Sequence, residues 1–440
     1  MKNDFSGRGP LPLLAALLLG MTGCLLHAGD AVLPGVRYAG KLDSGPVRLP
    51  RKYRPKSPEL RGVWVATVHN LDFPLCNSQA LFQQRIQTLM RSLAAARFNA
   101  VFFQVRPSCD AFYPSRLNPW SRFLTGKEGR PPGNGFDPLR FMIDEAHRNG
   151  LEFHAWLNPY RVTAATDLSK KAALAALAPG NFARKHPELV METMTGKKRK
   201  LTLNPGEPAV RKFIVDTVQE LVDHYALDGI HFDDYFYPDG MPEWADRPCY
   251  LRRNPAKLPL DDWRRANVNL LIQTVHTRIT AANRASGRRV RFGVSPFGIW
   301  RNRKSDPAGS LTAGHESYSW QYADTRLWVK SGWLDYIVPQ LYWHFNHDSA
   351  AYAALCDWWS GTVRGTRTDL YIGHGVYRLG EKGWGRDELR NQLLYNQKHP
   401  EIKGSVLFSQ RSLAEPGNAA MRAGGLEMLR TLWTTPVPAR

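Results

Sequence analysis

The sequence predicts an α/β fold, a (β/α)8 TIM barrel with long loops on the C-terminal face of its strands. Three observations predict it. From about residue 60 onward, short apolar runs alternate with helix-patterned stretches eight times, and repeated βα units argue for a parallel sheet. An open doubly wound sheet is the structural alternative, but it rarely needs eight such pairs. The long insertions follow strands rather than precede them, and polar and aromatic residues gather at the strand ends, the face where barrels of this kind carry their chemistry.

The strand candidates are 62–68, 100–105, 151–157, 229–236, 290–296, 335–342, 369–376 and 403–409. The helix-patterned stretches are 79–96, 137–149, 207–225, 261–284, 320–331, 349–362, 386–398 and 418–432. Pro138 and Pro208 each stand where a first helical turn tolerates a missing N–H, and Gly150 is placed to end a helix before the next strand. Insertions at 106–136, 158–206, 237–260, 297–319 and 377–385 suit a groove for an extended substrate better than a closed pocket for a small metabolite.

Ahead of the repeats, Lys2 and Arg8 precede an apolar stretch from Leu11 to Leu19, followed by Gly20-Met21-Thr22-Gly23-Cys24. A basic start, a short apolar centre and small residues before a cleavage point describe a secretory signal. The expected organisation is a lipoprotein signal peptide over 1–23, lipid attachment at Cys24, a tether over 24–58 and the barrel domain over 59–435. Leu25, rather than Asp, after the cysteine favours the outer membrane, facing the periplasm. The other cysteines, Cys76, Cys109, Cys249 and Cys356, form no CxxC pair, so no metal site is expected of them. Lys and Arg exceed Asp and Glu by 20, but they are scattered apart from Lys197–Lys200. Without a nucleic-acid-binding signature the excess reads as a basic surface, and without a Gly-rich phosphate loop no cofactor is expected.

The most informative stretch is Asp228-Gly-Ile-His-Phe-Asp-Asp-Tyr-Phe-Tyr237. Alternation along a strand puts His231, Asp233 and Tyr235 on one face and Ile230 and Phe232 on the other. Burying Asp233 in a barrel is costly without a purpose or partner. Other strand ends add Gln104 and Arg106, then Asn158, Tyr160 and Arg161, then Ser295, and finally Gln340, Tyr342 and Trp343. Amides, carboxylates, hydroxyls and aromatic faces together suit a hydroxyl-rich ligand such as a sugar. These nine, with Tyr235, are the expected substrate contacts. Singly, His154 and His231 read as hydrogen-bonded core residues, and a metal site from them with Asp233 lacks any recognised spacing. Glycosidases use two carboxylates. Asp233 is expected to be essential, with Asp234 or Asp110 shifting its pKa or positioning substrate, while Asp306, Glu316, Asp324 and Glu381 are further candidates for the second acid.

Six ordered blocks carry a resemblance: Arg61–Val68 with Asp72-Phe-Pro74, Gln104–Tyr113, His154–Arg161, Asp228–Pro238, Gly293–Gly298 and Pro339–Trp343. With the lipoprotein signal, they resemble the glycosyl-hydrolase-like lipoprotein family, in particular its divisome-localised branch. The resemblance implies cleavage of peptidoglycan glycan strands stripped of their stem peptides. A weaker likeness is to the chitinase-like barrel enzymes, whose terminal catalytic Glu is replaced here by Tyr235. The alternatives are a non-catalytic glycan-binding lipoprotein and a hydrolase of another polysaccharide.

Overall fold

The computed structural model describes residues 30–133, 135–414 and 419–438; the expected signal peptide and Cys24 lie outside them. The chain opens with β1 (Ala31–Arg37) and β2 (Pro46–Leu49), an antiparallel hairpin. The barrel strands follow: β3 (Leu60–Val65), β4 (Ala100–Arg106) and β5 (Glu152–Leu157). A second hairpin, β6 (Val190–Thr195) and β7 (Lys198–Leu203), interrupts the series. Then come β8 (Gly229–Phe232), β9 (Arg291–Val294), β10 (Tyr336–Ile337), β11 (Asp369–Gly375) and β12 (Ile402–Phe408). The eight barrel strands are all parallel and close in chain order, with β12 pairing β3. Closure excludes the open sheet. The strand expected over 335–342 is short because Pro339 interrupts the ladder, and beyond it Gln340 makes only single bridges to Phe297 and Gly373.

The helices form where the apolar spacing places them. Gln79–Ala95 buries Phe82, Ile86, Leu89, Met90 and Leu93 along one stripe, and Ser78 caps it by accepting from the Leu81 N–H at 3.3 Å. Burial of each such side chain contributes roughly 1.5–3 kcal/mol. Pro138–Arg148 starts with Asp137 accepting from Arg140 N and ends before Gly150, whose φ of 70° reverses the chain into β5.

Inside the barrel, aromatic rings crowd the middle beside Leu60, Val338 and Val406. Phe102 stacks on His154 at 4.3 Å, and His231 lies parallel to Tyr336 at 5.9 Å. Two glycines make the room: a Cβ at Gly229 would stand 2.3 Å from His154 Nδ1, and one at Gly293 would stand 2.1 Å from the Tyr336 ring.

Most of the segment expected as a tether is folded onto the barrel. Val47 and Leu49 alternate inward and are buried in the main core. Tyr38 donates its hydroxyl to Asp357 at 2.9 Å, and the Lys56 ammonium donates to the carbonyls of His399 and Ile402, both at 2.6 Å. The four cysteines of the barrel are buried free thiols.

Candidate active site

β8 ends at Phe232, and Asp233 follows at the barrel mouth, 3% exposed. The neighbouring strand supplies its partners. Asp233 Oδ2 accepts from Trp156 Nε1 at 3.2 Å and from Asn158 Nδ2 at 3.0 Å, while Oδ1 accepts from the Tyr235 N–H at 3.3 Å. Asn158 Oδ1 accepts from Arg161 N, which turns its amide nitrogen toward Asp233. Burial pushes the Asp233 carboxyl up, and the Arg161 charge with the three donors pulls against it.

Asp234, half-buried beside it, is pushed up to about 7, first by burial, then by the charge of Asp233 and, more weakly, by that of Asp239. Like charges in one site do not both ionise readily, so the pair holds a proton to higher pH than an isolated carboxylate would, and Asp234, without the three donors that support Asp233, is the more strongly raised.

Beneath the acids lies a fixed polar layer. Trp64 Nε1 is only a donor and meets His231 Nε2 at 3.2 Å, so the His231 proton sits on Nδ1, facing the Tyr336 hydroxyl at 3.3 Å. The Ser295 hydroxyl reaches the same Nε2 at 3.0 Å. Burial and His154 hold His231 well below the usual imidazole range. His231 and His154, which also contacts Glu152 and Tyr336, therefore serve as hydrogen-bonded interior residues.

The acids line a cavity of about 750 Å³. Trp64, Trp156, Phe297, Trp320, Tyr342 and Trp343 give it apolar faces suited to sugar rings. Gln104 Oε1 accepts from the N–H groups of Thr67 and Val68 at 3.0 and 2.9 Å. That leaves Nε2, buried and without a protein partner, as a donor in the residue's contribution to the cavity wall. Gln340 donates to the Ser295 carbonyl at 2.9 Å. Of the expected contacts, Gln104, Arg161, Tyr235, Ser295, Gln340, Tyr342 and Trp343 line this cavity, and Asn158 reaches it through Asp233.

Several expectations are corrected. Arg106 is buried away from the cavity, donating to Asn118 Oδ1 and to the Asn158 carbonyl. A register shift between Gln104 and Arg106 pairs Arg106 with the outward Leu157, so the two no longer share a face. Tyr160 is fully buried in the core. Tyr235 does not share the inward face of His231 and Asp233: regular strand ends at Phe232, and the ring stands 51% exposed at the rim, with the Arg161 guanidinium 4.5 Å from its centroid. Asp110 lines a separate pocket of about 220 Å³, its oxygens taken by Ser121 Oγ and Ser108 N. The other second-acid candidates also lie off the cavity wall. Asp306 pairs with Arg301, Glu316 accepts from Asn302, Asp324 accepts from Trp300, and Glu381 pairs with Arg378. Sequence reasoning missed Trp64, although it lies one inward position beyond Gly62 on β3. It also missed Asp239, from the loop after β8, and Trp320 and Gln321, at the end of the short helix Ser317–Trp320.

Two adjacent carboxyls, one of them held by three donors, sit at the strand ends of a closed barrel under aromatic walls, where barrel enzymes carry their chemistry. Fold and site together define a barrel glycoside hydrolase. Residues 59–387 match the family described as Glycosyl hydrolase-like 10, and the chain belongs to that family. It is 42% identical over 366 residues to glycosyl hydrolase YngK of Bacillus subtilis, covering 81% of this chain and 69% of that protein. It is 39% identical over 389 residues to glycosyl hydrolase DigH of Escherichia coli K12, covering 83% and 86%. Among solved structures, the glycoside hydrolase domain of PgaB (BpsB) from Bordetella bronchiseptica superposes with a TM-score of 0.53 at 14% identity, covering 86% of this chain and 99% of that one. The catalytic domain of a Paenibacillus polymyxa β-amylase superposes with 0.54 at 12%, covering 84% and 98%. These two share the fold.

Proposed function

We propose that this enzyme hydrolyses glycosidic bonds in the N-acetylated glycan strands of peptidoglycan, with peptide-free strands as its substrate. We also propose that lipid on Cys24 anchors it to the outer membrane, facing the periplasm. The observation that carries the catalytic reading is the pair of adjacent acids on the cavity floor, Asp233 held by three donors and Asp234 beside it facing the open space. Asp234 donates a proton to the glycosidic oxygen as the C–O bond breaks. Asp233, ionised and fixed by Trp156 and Asn158, faces the positive charge that develops at the anomeric carbon. Water completes the hydrolysis, leaving a new reducing end and returning a proton to Asp234. Gln104 Nε2 offers a donor to the sugar, and the aromatic faces stack on its rings.

An envelope substrate is supported by the lipoprotein-type N-terminus, by the six motif blocks and by a cavity bordered by long post-strand loops. Incubation with peptide-free glycan strands, peptide-bearing strands, chitin and starch, followed by mass spectrometry, tests the reading. Reducing-end fragments from peptide-free strands are expected. Fragments from chitin or starch alone would replace the substrate assignment, and anhydro ends would replace hydrolysis with transglycosylation.

A further inference from the structure

Past Arg161 and Tyr235 the cavity adjoins a second one of about 300 Å³, and the two share Val68, Arg161, Tyr235, Tyr237 and Asp239 in their walls. The smaller cavity has a cationic side. Thr202 of β7 bridges Arg161 in antiparallel register, and strand alternation puts Lys200 on the same face as Thr202. Both residues line the cavity with His69, Thr163 and the small Ala164 and Ala165. The Arg161 guanidinium is held in place: Nη1 donates to the Pro107 carbonyl at 3.1 Å, and the group lies over the Tyr235 ring. Its other N–H groups make no hydrogen bond within the protein among the described residues. His69 and Asn70 take positive φ of 54° and 51°, and Asn70 Nδ2 pins that turn to the carbonyls of Phe73 and Phe123. The single acid in the wall, Asp239, already accepts from Gln321 Nε2 at 2.7 Å.

We infer that this side cavity is a subsite for a carboxylate borne on a short branch of a sugar next to the cleavage point, bound by Arg161 and Lys200. The inference rests on the peptidoglycan reading for the identity of that branch. A muramyl residue freed of its stem peptide ends in a lactyl carboxylate, whereas a peptide-bearing one carries a neutral amide there. A fixed guanidinium with a second cation beside it recognises the former through charge-assisted hydrogen bonds. The subsite thereby gives a physical reason for preferring peptide-free strands: the cleaved peptide leaves behind the charge that the enzyme binds.

The test is binding, measured by calorimetry on the catalytically disabled Asp234→Asn protein. The probes are peptide-free glycan oligosaccharides and the same oligosaccharides with their lactyl carboxylates converted to methylamides. Charge-assisted hydrogen bonds of this kind correspond to a preference of roughly 10- to 100-fold for the free acid. Lys200→Met is expected to reduce that ratio several-fold, and the ratio should shrink as salt is raised. Lys197→Met, an exposed lysine near the tip of the same hairpin, should keep the wild-type ratio. Equal affinity for acid and amide overturns the subsite, as does a Lys200→Met protein with the wild-type preference. Hydrolysis is read separately from the wild-type enzyme. Absence of fragments there counts against the catalytic reading, while a retained acid preference still supports the subsite.

Discussion

Asp110 and the Asp233–Asp234 pair are buried acids that follow neighbouring parts of the same barrel, and they differ in what surrounds them. Burial pushes Asp110 up to about 6, against the pull of the Ser121 hydroxyl. Its oxygens are taken by Ser121 Oγ at 2.6 Å and Ser108 N at 3.0 Å, both from its own loop. Asp233 is held by Trp156 and Asn158 from the adjacent strand, and Asp234 lines the large cavity with part of its surface open. A raised pKa therefore does not by itself distinguish a catalytic acid from a loop fastener. The difference lies in which space the acid borders: the pair faces the large aromatic-walled cavity of about 750 Å³, Asp110 a separate pocket of about 220 Å³.

The sharpest way to break that comparison is to neutralise each acid in turn. Asp234→Asn and Asp233→Asn should each lower kcat by roughly 10²–10⁴-fold, the range of a lost acid–base group. Asp110→Asn should leave turnover within a few-fold of wild type and instead lose about 1–2 kcal/mol of stability in urea unfolding, the cost of a disturbed buried hydrogen-bond set. Equal losses of turnover at Asp110 and Asp234 would erase the distinction.

A smaller effect sharpens the proton assignment. With the Asp234 carboxyl pushed up to about 7, the acid form is present below that pH and lost above it, so kcat/KM should fall as pH rises through about 7. An activity that stays level to pH 9 would remove Asp234 from the acid role. Trp156→Phe deletes one donor to Asp233 and retains an aromatic face. The expected result is a fall in kcat of about tenfold, of the order of one charge-assisted hydrogen bond. The acidic limb of the pH profile should also move upward, because the Asp233 charge loses support. A change in KM alone would make Trp156 a stacking residue only.

The smallest effect is on stability. A carboxyl whose folded pKa is raised binds more protons folded than unfolded between about 4 and 7. Stability therefore falls as pH rises through that window. Asp234→Asn should remove this penalty, raising Tm at pH 8 by a few degrees relative to wild type and leaving it nearly unchanged at pH 4. A Tm gain of equal size at both pH values would contradict the assignment.

The barrel was legible in the sequence because parallel strands covered on both faces read as apolar runs, and amphipathic helices between them keep their own period. The inward alternation also set His231 and Asp233 on the inner side of the barrel, where the structure has them. It failed where the strands ended or shifted. The irregularity between Gln104 and Arg106 turned Arg106 outward, and the chain beyond β5 and β8 took Tyr160 into the core and Tyr235 to the rim. Period two carries no information past the last ladder hydrogen bond. The N-terminal hairpin was missed because Pro46–Leu49 is too short to stand out, and it gains its place from packing against distant helices. Asp239 comes from an insertion whose conformation is set by tertiary contacts, and Trp320 from the end of a four-residue helix too short to show a period.

The most direct measurement is release of reducing-end fragments from peptide-free glycan strands by wild type, Asp234→Asn and Asp110→Asn assayed side by side at neutral pH. Fragments from wild type and Asp110→Asn, with Asp234→Asn inactive though folded, are the predicted result. Wild-type rates from Asp234→Asn would contradict the account and move the catalytic proton elsewhere in the groove.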